Sequence, residues 1–249
     1  MKKLSIILVA LVLMGAMTHE HAEHTPTSQQ AIKLSVLEVQ DKLVRIKLTD
    51  KDQAPVTLND LKEVHTQKIH LLIIDDGLQD YTHTHPKPTQ TPGEYEFEWS
   101  PVRANAHYRI WADLTPINQS QEFVMAELTK GPKQAIIRKD SFESVVNGLT
   151  FKLTLDKNMG KITVIDADGK PFKKLEPVMG AFAHIVAFSD NFKTVIHAHP
   201  MGDEPKNPTD RGGPELQFHM EPLKPGFVKI FAQVVVNGQE LFVPFGIQT

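Results

Sequence analysis

The sequence predicts an all-β protein made of two tandem Greek-key β-sandwich domains, immunoglobulin-like or cupredoxin-like. Three observations predict it: short runs rich in β-branched and aromatic residues alternate with turn signals, no stretch keeps a helical period of apolar residues, and the whole series occurs twice. Histidines register the repeat. His70, His83 and His85 recur with the same spacing as His184, His197 and His199, and each triplet is closed by a proline, Pro86 or Pro200. The flanks agree: Tyr108-Arg109-Ile110-Trp111-Ala112-Asp113 lies over Val228-Lys229-Ile230-Phe231-Ala232-Gln233, and Gln121-Glu122-Phe123-Val124 over Gln239-Glu240-Leu241-Phe242. A repeat of that length is a duplicated domain rather than a solenoid unit.

From the N-terminus, Met1-Lys2-Lys3 and the apolar run Leu4–Met17 read as a signal peptide over residues 1–18, too short to span a bilayer, which predicts export to the periplasm or beyond. Residues 19–30 follow as a polar leader carrying His19, His21 and His24. The first sandwich is expected over 31–130, with strands at 32–39, 43–49, 68–75, 79–85, 95–99, 107–114 and 122–128. Lys130-Gly131-Pro132-Lys133 marks the linker. The second sandwich is expected over 131–249, with strands at 149–155, 161–166, 182–189, 193–199, 215–220, 226–236 and 239–247.

Composition narrows the function. The chain has no cysteine, so neither disulfides nor a lipid-anchored cysteine are available, and each domain must be held by apolar burial. A formal net charge of -3 offers no field for nucleic acid, and no further segment is apolar enough to insert the mature chain in a membrane. No nucleophile elbow, phosphate-binding glycine loop or zinc-protease helix motif is present, and the expectation is a protein that is not an enzyme.

The histidines carry the chemistry. Asp76-Gly77 between His70 and His83 is a strong hairpin signal, and a two-residue loop there sets His70 directly opposite His83. Asp190-Asn191 does the same for His184 and His197. His85 and His199, two residues further along, fall on the same face, and the prolines then end the pairing. Because Thr82 and Thr84 alternate with Tyr81, His83 and His85, the histidines are expected to point into their own sandwich near its rim. Each hairpin would thus gather three imidazoles. Such a cluster cannot be fully protonated without repulsion, whereas a transition metal reconciles it. Neutral imidazole suits copper, zinc and nickel, and the affinity order favours Cu(II), with Zn(II) the alternative. A blue-copper centre is excluded because it needs a thiolate.

Fourth-ligand candidates are weaker. His219 stands where the first unit has Glu98, although its alternation with Phe218 and Met220 turns it outward; Met179, Met201 and Met220 could offer thioethers, and His65 aligns with Met179. His107 sits where the repeat has Phe227 and reads as packing.

Met179-Gly180, His184, His197-Ala198-His199-Pro200 and Pro225-Gly226-Phe227-Val228-Lys229-Ile230-Phe231 together resemble a group of secreted or periplasmic bacterial β-sandwich proteins near the copper-resistance and YtkA-like immunoglobulin-fold modules. The likeness covers 175–247 best and 60–128 less well. It implies an exported, metal-associated protein that sequesters copper or zinc or hands it to a periplasmic partner protein. The competing expectation is a tandem immunoglobulin-like interaction module whose histidines are structural.

Overall fold

The computed structural model describes residues 31–198, 200–202 and 204–249. The expected signal peptide and leader, and His199, lie outside the described residues. Within them the protein is all-β, with no α-helix, and the strands follow the predicted series closely. In the first half these are β1 (Ile32–Gln40), β2 (Leu43–Asp50), β3 (Ile69–Asp75), β4 (Tyr81–Thr84), β5 (Lys87–Pro88), β6 (Glu94–Glu98), β7 (Tyr108–Leu114) and β8 (Glu122–Glu127). The second half contains β9 (Glu143–Val146), β10 (Leu149–Asp156), β11 (Met159–Ile165), β12 (His184–Ser189), β13 (Val195–Ala198), β14 (Pro200–Met201), β15 (Glu215–His219), β16 (Phe227–Val236) and β17 (Gln239–Gln248).

Each half is an antiparallel sandwich. One sheet of the first runs β1-β2-β6-β5 and its mate β4-β3-β7-β8; the second pairs β14-β15-β11-β10-β9 with β13-β12-β16-β17. Alternation along the strands builds each core: Leu71, Ile73, Ile110 and Ala112 meet Val44, Ile46 and Tyr95 in one half, while Ile185, Ala187, Ile230 and Ala232 meet Phe151, Ile162 and Phe218 in the other.

The intervening residues of the same strands are apolar too, and they form a third buried cluster joining the halves. Leu72, Ile74, Tyr81 and Trp111 from the first sandwich pack on Val186, Phe188, Val195 and Phe231 from the second. Tyr81 stacks on Phe231 with ring centroids 4.8 Å apart, and Trp111 meets Phe188 at 5.5 Å. The sheets β4-β3-β7-β8 and β13-β12-β16-β17 are therefore each covered on both faces, which explains why β3 is buried at all of its positions. The molecule is four sheets deep.

The linker reinforces this joint. Ile136 packs on the shared cluster, Arg138 bonds Asp190 at 2.7 Å, and the Asp140 carboxylate accepts the Gln248 N–H at 2.6 Å. Gly131 is required where the chain passes the first sandwich, since a Cβ there would lie 2.0 Å from the Asn105 carbonyl oxygen.

Both hairpins depart from the expected register by two residues. His83 lies opposite Leu72 rather than His70, and His197 opposite Val186 rather than His184. The reason is a longer loop. Leu78 and Phe192 adopt positive φ (55° and 58°) where the predicted pairs Asp76-Gly77 and Asp190-Asn191 do not, and the loops are held by side chains: Asp75 accepts the N–H groups of Gln79 and Asp80, and Ser189 Oγ accepts that of Thr194. A slip of two leaves every side chain on its original face, so the convergence of the histidines survives.

The prolines also do more than end pairing. After Thr84 the chain leaves the β4-β3-β7-β8 sheet and pairs again as β5 with β6, Lys87 opposite Glu96; after Ala198 it changes sheets likewise, Pro200 opposite Phe218. The His-x-His-Pro motif thus sits where a strand switches sheets.

Candidate metal centre

His70, Leu72 and Ile74 share one face of β3, and Tyr81 and His83 share one face of β4. That face looks toward the other sandwich, because Leu72, Ile74 and Tyr81 belong to the joining cluster. The expectation that the histidines point into their own sandwich is therefore corrected: its interior is taken by Leu71, Ile73 and their partners, and the imidazoles face the joint. The same holds for His184 beside Val186 and for His197 beside Val195. In consequence the two hairpins do not make separate clusters. The His70 and His83 rings lie 5.3 and 5.4 Å from that of His197, and His83 lies 6.1 Å from His184.

Three nitrogens converge most closely in the first half. His70 Nδ1 is 3.1 Å from His83 Nε2 and 3.1 Å from His85 Nε2. In the second half His184 Nδ1 is 3.3 Å from His197 Nε2, the same pair of ring positions. All four histidines of the two pairs are buried.

The outer nitrogens determine what the inner ones can do. His70 Nε2 donates to the Val64 carbonyl at 2.9 Å, and His184 Nε2 to the Met179 carbonyl at 3.3 Å. Across the joint, His83 Nδ1 donates to Gln233 Oε1 at 2.8 Å, and His197 Nδ1 to the Asp113 carboxylate at 2.7 Å. Every one of these partners is an acceptor only, so the outer nitrogen carries the hydrogen and the inner nitrogen of each neutral ring presents a lone pair. With both rings of a pair neutral, His70 Nδ1 and His83 Nε2 face each other with two lone pairs and no hydrogen between them, as do His184 Nδ1 and His197 Nε2. A cation between each pair resolves the conflict. With metal–nitrogen bonds of about 2.0–2.1 Å, nitrogens 3.1 and 3.3 Å apart subtend about 98° and 107°, angles a tetrahedral or tetragonal ion accepts.

Protonation is the alternative cation, and the surroundings oppose it. Burial, reinforced by the neighbouring histidines, holds His83 well below the ordinary imidazole range; burial and His70 bring His85 down to about 4; burial brings His184 down to about 4 as well, against the opposing bond to the Met179 carbonyl. His83, His85 and His184 are therefore neutral donors near pH 7.

Asp113 and Gln233 occupy equivalent positions of the two repeats, on β7 and β16, and each steadies a histidine of the other half. Asp113 also accepts from Gln121 Nε2 at 2.6 Å, and Gln233 donates to Glu240 at 3.3 Å, which orients its amide. Sequence reasoning aligned the two without assigning them a part. Their signal was a polar residue set deep in an otherwise apolar strand, 3% and 2% exposed here.

The remaining candidates fall elsewhere. His219 on β15 pairs with Met159 in the far sheet of the second sandwich, and since Phe218 and Met220 fill that sandwich's core, His219 faces away from it and from the joint. Met201 is largely exposed. His107 bonds Asp76 at 2.6 Å within the first half. His65 does reach the cluster, 5.3 Å from His184.

A comparison with curated proteins finds no match. A family model described as a domain of unknown function (DUF8832) matches twice, over residues 25–129 and 144–249, leaving the linker between its copies. The chain belongs to that family, as two copies in tandem whose histidine hairpins meet face to face.

Proposed function

We propose that this protein binds a transition-metal ion, copper or alternatively zinc, at the joint between its sandwiches, and serves to sequester or hand on that ion after export to the periplasm. The observation that carries the reading is the inward-facing lone pairs of His70 and His83, imposed by acceptor-only partners on their outer nitrogens. His85 supplies the third nitrogen, and His184 and His197 face them from the second repeat. Gln233 and Asp113 orient His83 and His197 as supporting groups commonly orient metal-bound imidazoles. An all-nitrogen, neutral donor set suits copper and zinc, and the affinity order places Cu(II) first. The exported location rests on the apolar N-terminal run and on the resemblance to periplasmic copper-handling modules. No reaction is assigned: the proposed role is binding.

Replacing His83 and His85 together with alanine should remove at least one bound Cu(II) or Zn(II) per chain by native mass spectrometry. Unchanged stoichiometry in a folded variant would refute the assignment. A wild-type chain that takes up no metal would favour structural histidines in an interaction module.

A further inference from the structure

His65 lies in the turn Val64–Gln67, closed by Val64 N–H to the Gln67 carbonyl at 2.8 Å and Gln67 N–H to the Val64 carbonyl at 3.1 Å. His65 and Thr66 both have positive φ, 50° and 65°, as a type I′ turn demands, a place that favours asparagine and glycine. The second sandwich builds the same turn from Val178 to Ala181, with Met179 and Gly180 at φ 49° and 78° and closing bonds of 2.7 and 3.0 Å. The two turns meet across the joint: a Cβ on Gly180 would lie 3.8 Å from Thr66 Cγ2. This contact delivers the His65 ring to the other repeat, with its centroid 5.3 Å from His184 and 5.8 Å from His197, which are themselves 5.5 Å apart. These three rings close a triangle only slightly wider than that of His70, His83 and His85, whose sides are 5.3, 4.9 and 5.0 Å.

We infer that His65 is a metal ligand that the first sandwich supplies to the second, so that the joint holds two metal positions: one on His70, His83 and His85, the other on His184, His197 and His65. This rests on the metal-binding reading above and extends it to a second, composite position. The exchange through these turns is one-sided, because the equivalent turn residue of the second sandwich is Met179, which brings no imidazole to the first. The second position is therefore incomplete without both repeats.

The test is titration of the full chain with Cu(II), read by native mass spectrometry and chelator competition, on the wild type, His65→Asn, His65→Met and His85→Asn. Asparagine tolerates the left-handed backbone, and methionine copies the sister turn, so both His65 variants keep the turn; circular dichroism and melting of the metal-free variants check this. The expected result is two ions on the wild type, with the second weakened by more than about tenfold in both His65 variants while the first is retained. Free imidazole should restore the second ion in His65→Asn, and His85→Asn should show the converse loss. Two ions of wild-type affinity in His65→Asn, or a single wild-type ion indifferent to His65, would overturn the inference while leaving metal binding intact. A wild type that binds no copper would overturn both.

Discussion

Asp113→Asn isolates the electronic part of the centre from its shape. The carboxylate is 3% exposed and accepts His197 Nδ1–H at 2.7 Å and Gln121 Nε2–H at 2.6 Å. Asparagine has the same size and keeps one acceptor oxygen, so it can hold the His197 ring in place without the negative charge once Gln121 turns its amide to accept from the new Nδ2. A charge-assisted hydrogen bond contributes about 1.5–3 kcal/mol against about 1 for a neutral one, so the bond weakens by roughly 0.5–2 kcal/mol. Part of that returns to the metal-free fold, because a buried carboxylate no longer has to be desolvated. Metal affinity has no such compensation: a less basic His197 binds its ion about 10- to 100-fold more weakly, or about 1.4–2.7 kcal/mol. The assay is competition against a chelator of known affinity, with urea unfolding of the metal-free protein alongside. Wild-type affinity in Asp113→Asn would refute the claim that Asp113 acts on metal through His197. A collapse of metal-free stability by several kcal/mol would instead make it a structural residue.

The same geometry sets a pH dependence and a packing cost. Because His184 is held down to about 4 in the fold against 6.5 in the unfolded chain, the unfolded state binds more protons between those values, so metal-free stability should fall as pH drops from 6.5 toward 4, by up to about 3 kcal/mol from this residue. His85 acts in the same direction, and unfolding curves at pH 7.5, 6 and 5 would show either that slope or its absence. Trp111→Ala, which empties a buried place between the sandwiches, should cost about 3–5 kcal/mol in urea and also weaken metal binding; unaltered affinity would show that the centre does not depend on the joint.

Much of this architecture was legible in the chain. Alternation and turn signals located the long strands because each has one face committed to a core, and the spacing of His70, His83 and His85 against their repeats identified the cluster. The hairpin register was not legible. Asp76-Gly77 invited a two-residue loop, but Asp75 and Ser189 stabilise a longer one through backbone N–H groups several residues on, a competition that local pattern does not resolve. The short strands β5, β9 and β14 were not legible either: β5 and β14 form only where the chain changes sheets after a proline, and β9 is a short edge strand on β10.

The facing of the two repeats has its own signal in the sequence. Ile69 to Asp75 is apolar on both faces, and so is most of Phe227 to Val236, which in a two-sheet domain would leave one apolar face in water. A second covering layer was needed, and with a duplicated chain the other copy was the available one. The polar interruptions Asp113 and Gln233 in those same doubly buried strands then had to find partners across the joint. His219 shows the converse, since its alternation with Phe218 and Met220 already turned it away from any buried site.

The most direct measurement is the melting of the purified, untagged protein with and without Cu(II) or Zn(II). At a free metal concentration a hundred times the Kd, a ligand of the folded state adds about 2.7 kcal/mol, which for a chain of this size raises Tm by about 5–10 °C. The inward lone pairs of His70, His83, His184 and His197 predict that rise, reduced when His70 and His83 are both replaced by leucine and absent when His184 and His197 are replaced as well. An unchanged Tm with copper and with zinc, and no metal above trace in the isolated protein, would contradict the account.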